Sequence, residues 1–180
     1  VIAVGTAAMR NAPNGKALAN RIRLETGVKV EVISGKTEAY MSYLGVVNTL
    51  AIKDALIFDL GGGSTELVLF RDRKIIESVS LPFGCVNLTT MFNTKDKMPA
   101  TVFSDISYLV MSRLDKLEWL KNASLPLIGV GGTARTMAKI EQKKQKYPAS
   151  KIHNFQFSTQ AFKATFNLLR DTSLDQRRKI

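Results

Sequence analysis

The apolar positions fall in short blocks whose spacing switches between two and roughly three and a half, which predicts alternating strands and helices. Residues 1–4 form an apolar run closed by Gly5 and Thr6 and read as a buried strand. Asn14-Gly15 marks a turn, residues 16–26 carry Leu18 and Ile22 at helical spacing, and Gly27 is a helix stop. Residues 28–33 alternate apolar and polar as a strand does. Ser34-Gly35 breaks the alternation, and residues 36–50 read as a helix. Three strands follow at 55–60, 67–70 and 75–81, then a short helix at 86–92 and a loop at 93–99. Between 100 and 121, Val102, Ile106, Leu109, Val110, Leu114, Leu117 and Leu120 recur every three or four residues and predict one long helix. A strand at 125–130, a basic helix at 134–146, a short strand at 155–157 and a helix at 160–170 complete the pattern.

From residue 55 onward, hairpin-linked strands give way to alternating helices and strands. That order predicts an α/β fold with a mixed five-stranded sheet flanked by helices. The β-α-β-α run before it reads as the end of a different, similar sheet. The expected division is therefore 1–48 and 49–180.

Composition narrows the function. The 45% hydrophobic and 23% charged shares are those of a globular domain, and no apolar stretch approaches the ~20 residues that span a bilayer. No signal peptide opens the chain, so a cytoplasmic location is expected and a membrane partner is not. One cysteine, Cys85, excludes an internal disulfide and a cysteine-built zinc site, and a single histidine, His153, argues against histidine-centred catalysis. The net charge of +11 favours polyanionic partners. No basic ribbon interleaved with aromatic rings is present, so nucleic acid is not expected.

Four strand ends carry candidate chemistry. In Asp59-Leu60-Gly61-Gly62-Gly63-Ser64-Thr65-Glu66, three glycines between two strands can turn several amides toward one phosphate, with no side chain in the way. Ser64 and Thr65 add hydroxyls. Asp59, at the end of a buried strand, suits Mg2+ held directly or through water. The alternative is a plain hairpin whose glycines supply positive φ. Gly131-Gly132-Thr133 is a second strand-to-helix junction, suited to an anion at the helix N-terminus. Arg10 offers a guanidinium beyond the first strand, for a phosphate or merely for solvent. Glu38 opens a helix after the second strand, where it serves the helix dipole or orients and deprotonates a water. Glu66 suits a catalytic carboxylate or an ordinary strand position.

Taken in order, Gly5 to Ala12, Ile33-Ser34-Gly35-Lys36-Thr37-Glu38-Ala39, Asp59 to Glu66, Leu81 to Gly84 and Gly129 to Ala134 resemble the exopolyphosphatase/guanosine pentaphosphate phosphatase (Ppx/GppA) family. The glycine loop alone also suits other actin-like ATPases, whereas S-G-x-x-E-A is more discriminating. The resemblance implies actin-like domains facing across a cleft and Mg2+-dependent hydrolysis of terminal phosphate from polyphosphate or pppGpp. By position it implies Glu38 as the water-activating glutamate, Asp59 as metal-associated, and Glu66 as a further catalytic carboxylate. It implies Gly61 and Ser64 in the phosphate loop and Arg10 facing phosphate. The family's opening D-x-G-S-N-S-like loop is absent and its later part is missing. The chain therefore reads as a middle fragment, with little activity expected alone. The competing classes are an actin-like ATPase or kinase and a non-catalytic ppGpp binder, and a homodimer is left open.

Overall fold

The computed structural model describes residues 1–94 and 96–180, so residue 95 of the expected 93–99 loop lies outside the described residues. Strand β1 (Ala3–Gly5) pairs in parallel with β2 (Val30–Val32). They are joined through helices α1 (Ala7–Asn11) and α2 (Gly15–Thr26), and α2 stops at Gly27 with φ 73°. Helix α3 (Gly35–Thr49) starts on Ser34, whose Oγ accepts from the Thr37 amide at 3.0 Å.

The second sheet is an antiparallel meander, β3 (Ala55–Leu60), β4 (Thr65–Arg71) and β5 (Lys74–Leu81), extended by β6 (Leu127–Val130) parallel to β3. Its spatial order is β5-β4-β3-β6. Helices α4 (Cys85–Phe92), α5 (Ala100–Leu114) and α6 (Glu118–Lys121) precede β6. Helices α7 (Gly131–Lys144), α8 (Thr159–Asp171) and α9 (Leu174–Arg177) follow it.

The α/β class with a mixed sheet between helices is the one expected, but among the described residues the sheet has four strands rather than five. Residues 155–157 make no strand. Their alternating aromatics pack as a loop cluster instead, with Phe155 5.0 Å from the Tyr147 ring and 5.9 Å from Phe157. The expected helix over 100–121 breaks at Asp115 into α5 and α6. The spacing nevertheless identified the buried face: Leu109, Val110, Leu114, Leu117 and Leu120 all pack on Leu67, Leu81 and Phe83.

Alternation along β3 and β4 sends side chains to two cores. Ile57, Val68 and Phe70 meet Ala39, Tyr43, Val46 and Val47 of α3 on one face, while Phe58 and Leu67 meet α5 and α6 on the other. Helix α3, placed before the 48/49 boundary in sequence, thus covers one face of the second sheet.

The far end of α3 is fastened by the β4–β5 turn, where Asp72 and Arg73 adopt φ 47° and 57°. This turn aims the Arg73 guanidinium at the carbonyls of Val47, Leu50 and Ile52 around the helix C-terminus, where a cation is favoured. Tyr43 donates its hydroxyl to the Arg73 carbonyl. Arg73→Met is expected to cost about 1–2 kcal/mol, after discounting for exposure, because charge-assisted bonds to three carbonyls are lost. Chemical denaturation should register it, and an unchanged midpoint would contradict it.

Candidate active site

The register of the meander sets the site. Asp59 stands opposite Glu66, and Glu66 opposite Ser80, so three polar residues form a row across β3, β4 and β5. Asp59 shares its face of β3 with Ile57, the face covered by α3. There Ser42 of α3 donates to Asp59 Oδ2 at 2.8 Å. Glu66 is 1% exposed, and its Oε1 accepts from Ser80 Oγ at 2.7 Å.

Burial pushes the Glu66 carboxyl above its ordinary value of 4.5. The Ser80 and Ser64 hydroxyls oppose that shift, and the charges of Glu38 and Asp59 add to it. Its effect on stability has a definite sign. Below 4.5 the group is protonated whether folded or not, and it costs nothing. As pH rises through the raised folded value, the native state must ionise a buried carboxyl, so stability falls. Glu66→Gln should therefore be more stable than the parent at pH 8, with the advantage vanishing toward pH 4. Melting curves across that range check it, and a constant difference would refute it.

Glu38 sits in the first turn of α3 and Arg10 in α1, 28 residues apart in sequence. Arg10 Nη1 donates to Glu38 Oε2 at 3.2 Å and to the Ile33 carbonyl at 2.8 Å. The two side chains are 24% and 20% exposed, enough shelter for the pair to fix the carboxylate while leaving it in reach of solvent.

The glycine loop does not owe its residues to positive φ, because none of Gly61, Gly62 and Gly63 has one. Close packing is the reason. A Cβ on Gly63 would come 3.2 Å from Ala7 Cβ, and one on Gly62 3.3 Å from Val86. The loop closes on itself through Gly61 N to Ser64 O at 3.0 Å. Its carbonyls then cap α4: Cys85 N donates to Gly61 O and Val86 N to Gly62 O, each at 2.9 Å. Among the described residues, the amides of Gly62, Gly63 and Ser64 donate to no protein acceptor, the condition for an anion-binding nest.

Two expected phosphate binders are used otherwise. Thr65 is buried and its hydroxyl donates to the Phe83 carbonyl at 2.7 Å, anchoring the loop. Thr133 Oγ1 donates to Leu60 O at 3.2 Å and ties α7 to β3. Gly131 has φ 84°, and a Cβ there would reach within 2.5 Å of Asp59 Oδ1, so the anion nearest this helix end is Asp59 itself.

Arg10, Gly63, Ser64 and Ser80 share one cleft of about 470 Å3 with Asn11 and Lys36. Among the described residues, no group of three or more His, Cys, Asp or Glu is arranged as a metal cage, and no helix is long and apolar enough to cross a membrane. Sequence reading missed Ser42 and Ser80, the hydroxyls that hold the two carboxylates. Ser42 lies four residues after Glu38, one turn along the same helix face, which is the one signal that pointed to it.

Comparison with known proteins shows the family. The sequence model described as the Ppx/GppA phosphatase family matches residues 1–180. The chain is 34% identical over 161 residues to a bifunctional 3-dehydroquinate synthase/phosphatase of Fusobacterium nucleatum, covering 85% of this chain and 24% of that protein. It is 35% identical over 133 residues to exopolyphosphatase 2 of Mycobacterium tuberculosis, covering 71% and 41%. A crystal structure of the Aquifex aeolicus member of the Ppx/GppA family superposes with a TM-score of 0.81 at 31% identity, covering 99% of this chain and 58% of that one. The chain thus spans less than two thirds of each of these relatives.

Proposed function

The chain belongs to the Ppx/GppA phosphatase family, and from that premise we propose that it supplies catalytic groups for hydrolysis of a terminal phosphoanhydride, in inorganic polyphosphate or in pppGpp. The observation that carries this reading is the Arg10–Glu38 pair, joined at 3.2 Å, with Arg10 lining the same cleft as Gly63 and Ser64. A carboxylate held this way can accept a proton from a water and direct it at a phosphorus. The free amides of Gly62, Gly63 and Ser64 would hold the terminal phosphoryl oxygens, with the unused donors of Arg10 beside them. Phosphoryl transfer passes through a loose transition state, so positioning and charge neutralisation account for most of the catalysis.

Mg2+ suits the oxygen donors present, because it takes one or two carboxylates and completes its shell with substrate oxygens and water. Asp59 is the residue proposed to hold it, fixed by Ser42 at one oxygen. When bound, the ion would neutralise phosphate charge. Ser80 keeps Glu66 oriented beside Asp59, as a further carboxylate of the site.

The test is inorganic phosphate release by the full-length gene product from polyphosphate, pppGpp and ATP, each with and without Mg2+. Release from the first or second that requires Mg2+ supports the proposal. Turnover of ATP alone would replace it with an actin-like ATPase.

A further inference from the structure

Lys36 is the second residue of α3, where the helix dipole disfavours a cation. Among the described residues its ammonium has neither an ion-pair partner nor a hydrogen bond, and Glu38, the acid of that turn, is taken by Arg10. It lines the 470 Å3 cleft with Arg10. That lining holds two cations, the amide side chain of Asn11 and the hydroxyls of Ser64, Ser78 and Ser80, but no carboxylate and no aromatic ring. The volume falls among pockets of roughly 300–1,000 Å3 that enclose whole small molecules, so one phosphoryl group would leave much of it empty.

We propose that Lys36 holds the phosphates behind the one being cleaved, between the first turn of α3 and strand β5, and thereby selects an unbranched polyphosphate chain over a guanosine nucleotide. This rests on the glycine loop receiving the terminal phosphoryl. From there the cleft runs past Ser80 to Ser78 on β5, an edge strand. Repeating phosphates would find the Lys36 ammonium and the Ser78 hydroxyl along that path, since the Ser64 and Ser80 hydroxyls are turned to Glu66. Among the described residues that line this cleft, a guanine base would find no ring to stack on, and stacking is a main source of base affinity. Arg10 cannot do this work alone, because one of its nitrogens is already committed to Glu38 and the Ile33 carbonyl. The lysine costs α3 a little stability while the cleft is empty, and a bound polyanion offsets that cost.

The test uses Lys36→Met and Lys36→Arg in the full-length gene product, with long-chain polyphosphate and pppGpp as probes. Equilibrium binding is measured by thermal shift, and steady-state phosphate release is followed beside it. Lys36→Met is expected to weaken polyphosphate binding about tenfold, the loss of one charge-assisted contact. The effect should appear in KM rather than kcat, be largely restored in Lys36→Arg, and shrink as salt rises. The pppGpp constants should move by less than about threefold. Unchanged polyphosphate binding overturns the proposal, as does a larger loss for pppGpp than for polyphosphate. If no substrate is turned over but Lys36→Met still weakens polyphosphate binding, the hydrolytic reading fails and the subsite stands.

Discussion

Glu38→Gln in the full-length gene product is expected to lower kcat for phosphate release by about 10²–10⁴-fold, the contribution of a positioned general base. Glutamine retains an oxygen that can accept from Arg10 Nη1, so the first turn of α3 keeps its place. What disappears is the ability to take a proton from water. Substrate binding should persist or strengthen, because the variant removes a negative charge from a site meant for a polyanion. Polyphosphate-dependent thermal stabilisation therefore separates this outcome from misfolding: the parent and the variant should both be stabilised while only the parent turns over. Turnover within tenfold of the parent would remove Glu38 from the mechanism.

Gly84→Ala should dislodge the glycine loop from the helix that supports it. Gly84 has φ −153° and ψ 179°, an extended conformation open to any residue, so its glycine is not required by the backbone. The added Cβ would lie 2.6 Å from Gly61 O and from the carbonyl carbon and oxygen of Gly62. Those atoms are main chain, held by the amides of α4, and by the Asn87 side chain, which bonds Gly63 O at 3.2 Å and the Gly84 amide at 2.7 Å. The clash can be relieved only by parting the loop from the helix that supports it. A loss of about 3 kcal/mol is expected, at the upper end for overpacking. That corresponds to a fall in Tm of roughly 6–12 °C for a chain of this size. Phosphate-dependent stabilisation should vanish with it. Cys85→Ala, at the adjacent exposed residue, is the control and should change neither. A Tm within 2 °C of the parent, about 1 kcal/mol or less by the same scaling, would show that the loop gives way easily.

Much of this was legible in the chain. The six-residue, almost wholly apolar block from Ala55 to Leu60 predicted β3 to its observed ends, and Gly27 stopped α2 where expected. The glycine loop, Glu38 and Arg10 were recognisable by residue type and order. The failures have local causes. Phe155 and Phe157 alternate like a strand, yet Phe155 packs against both Tyr147 and Phe157, because aromatic packing satisfies the same pattern without pairing. The alternative of a hairpin whose three glycines supply positive φ is excluded as well, because packing against Ala7, Val86 and Gly84 is what excludes larger side chains.

The sequence by itself determined most of the strands and helices, the family, and the residue types that can handle phosphate, because periodicity and motif order are properties of neighbouring residues. Tertiary structure decided which of those residues work together. The β4–β5 register alone sets Ser80 beside Glu66, and the packing of α3 on the meander alone brings Ser42 to Asp59. Arg10 meets Glu38 across 28 residues only because β1 and β2 pair in parallel and start α1 and α3 from the same edge. A one-residue slip in any of these pairings would turn its side chain to the opposite face and dismantle the site with the composition unchanged.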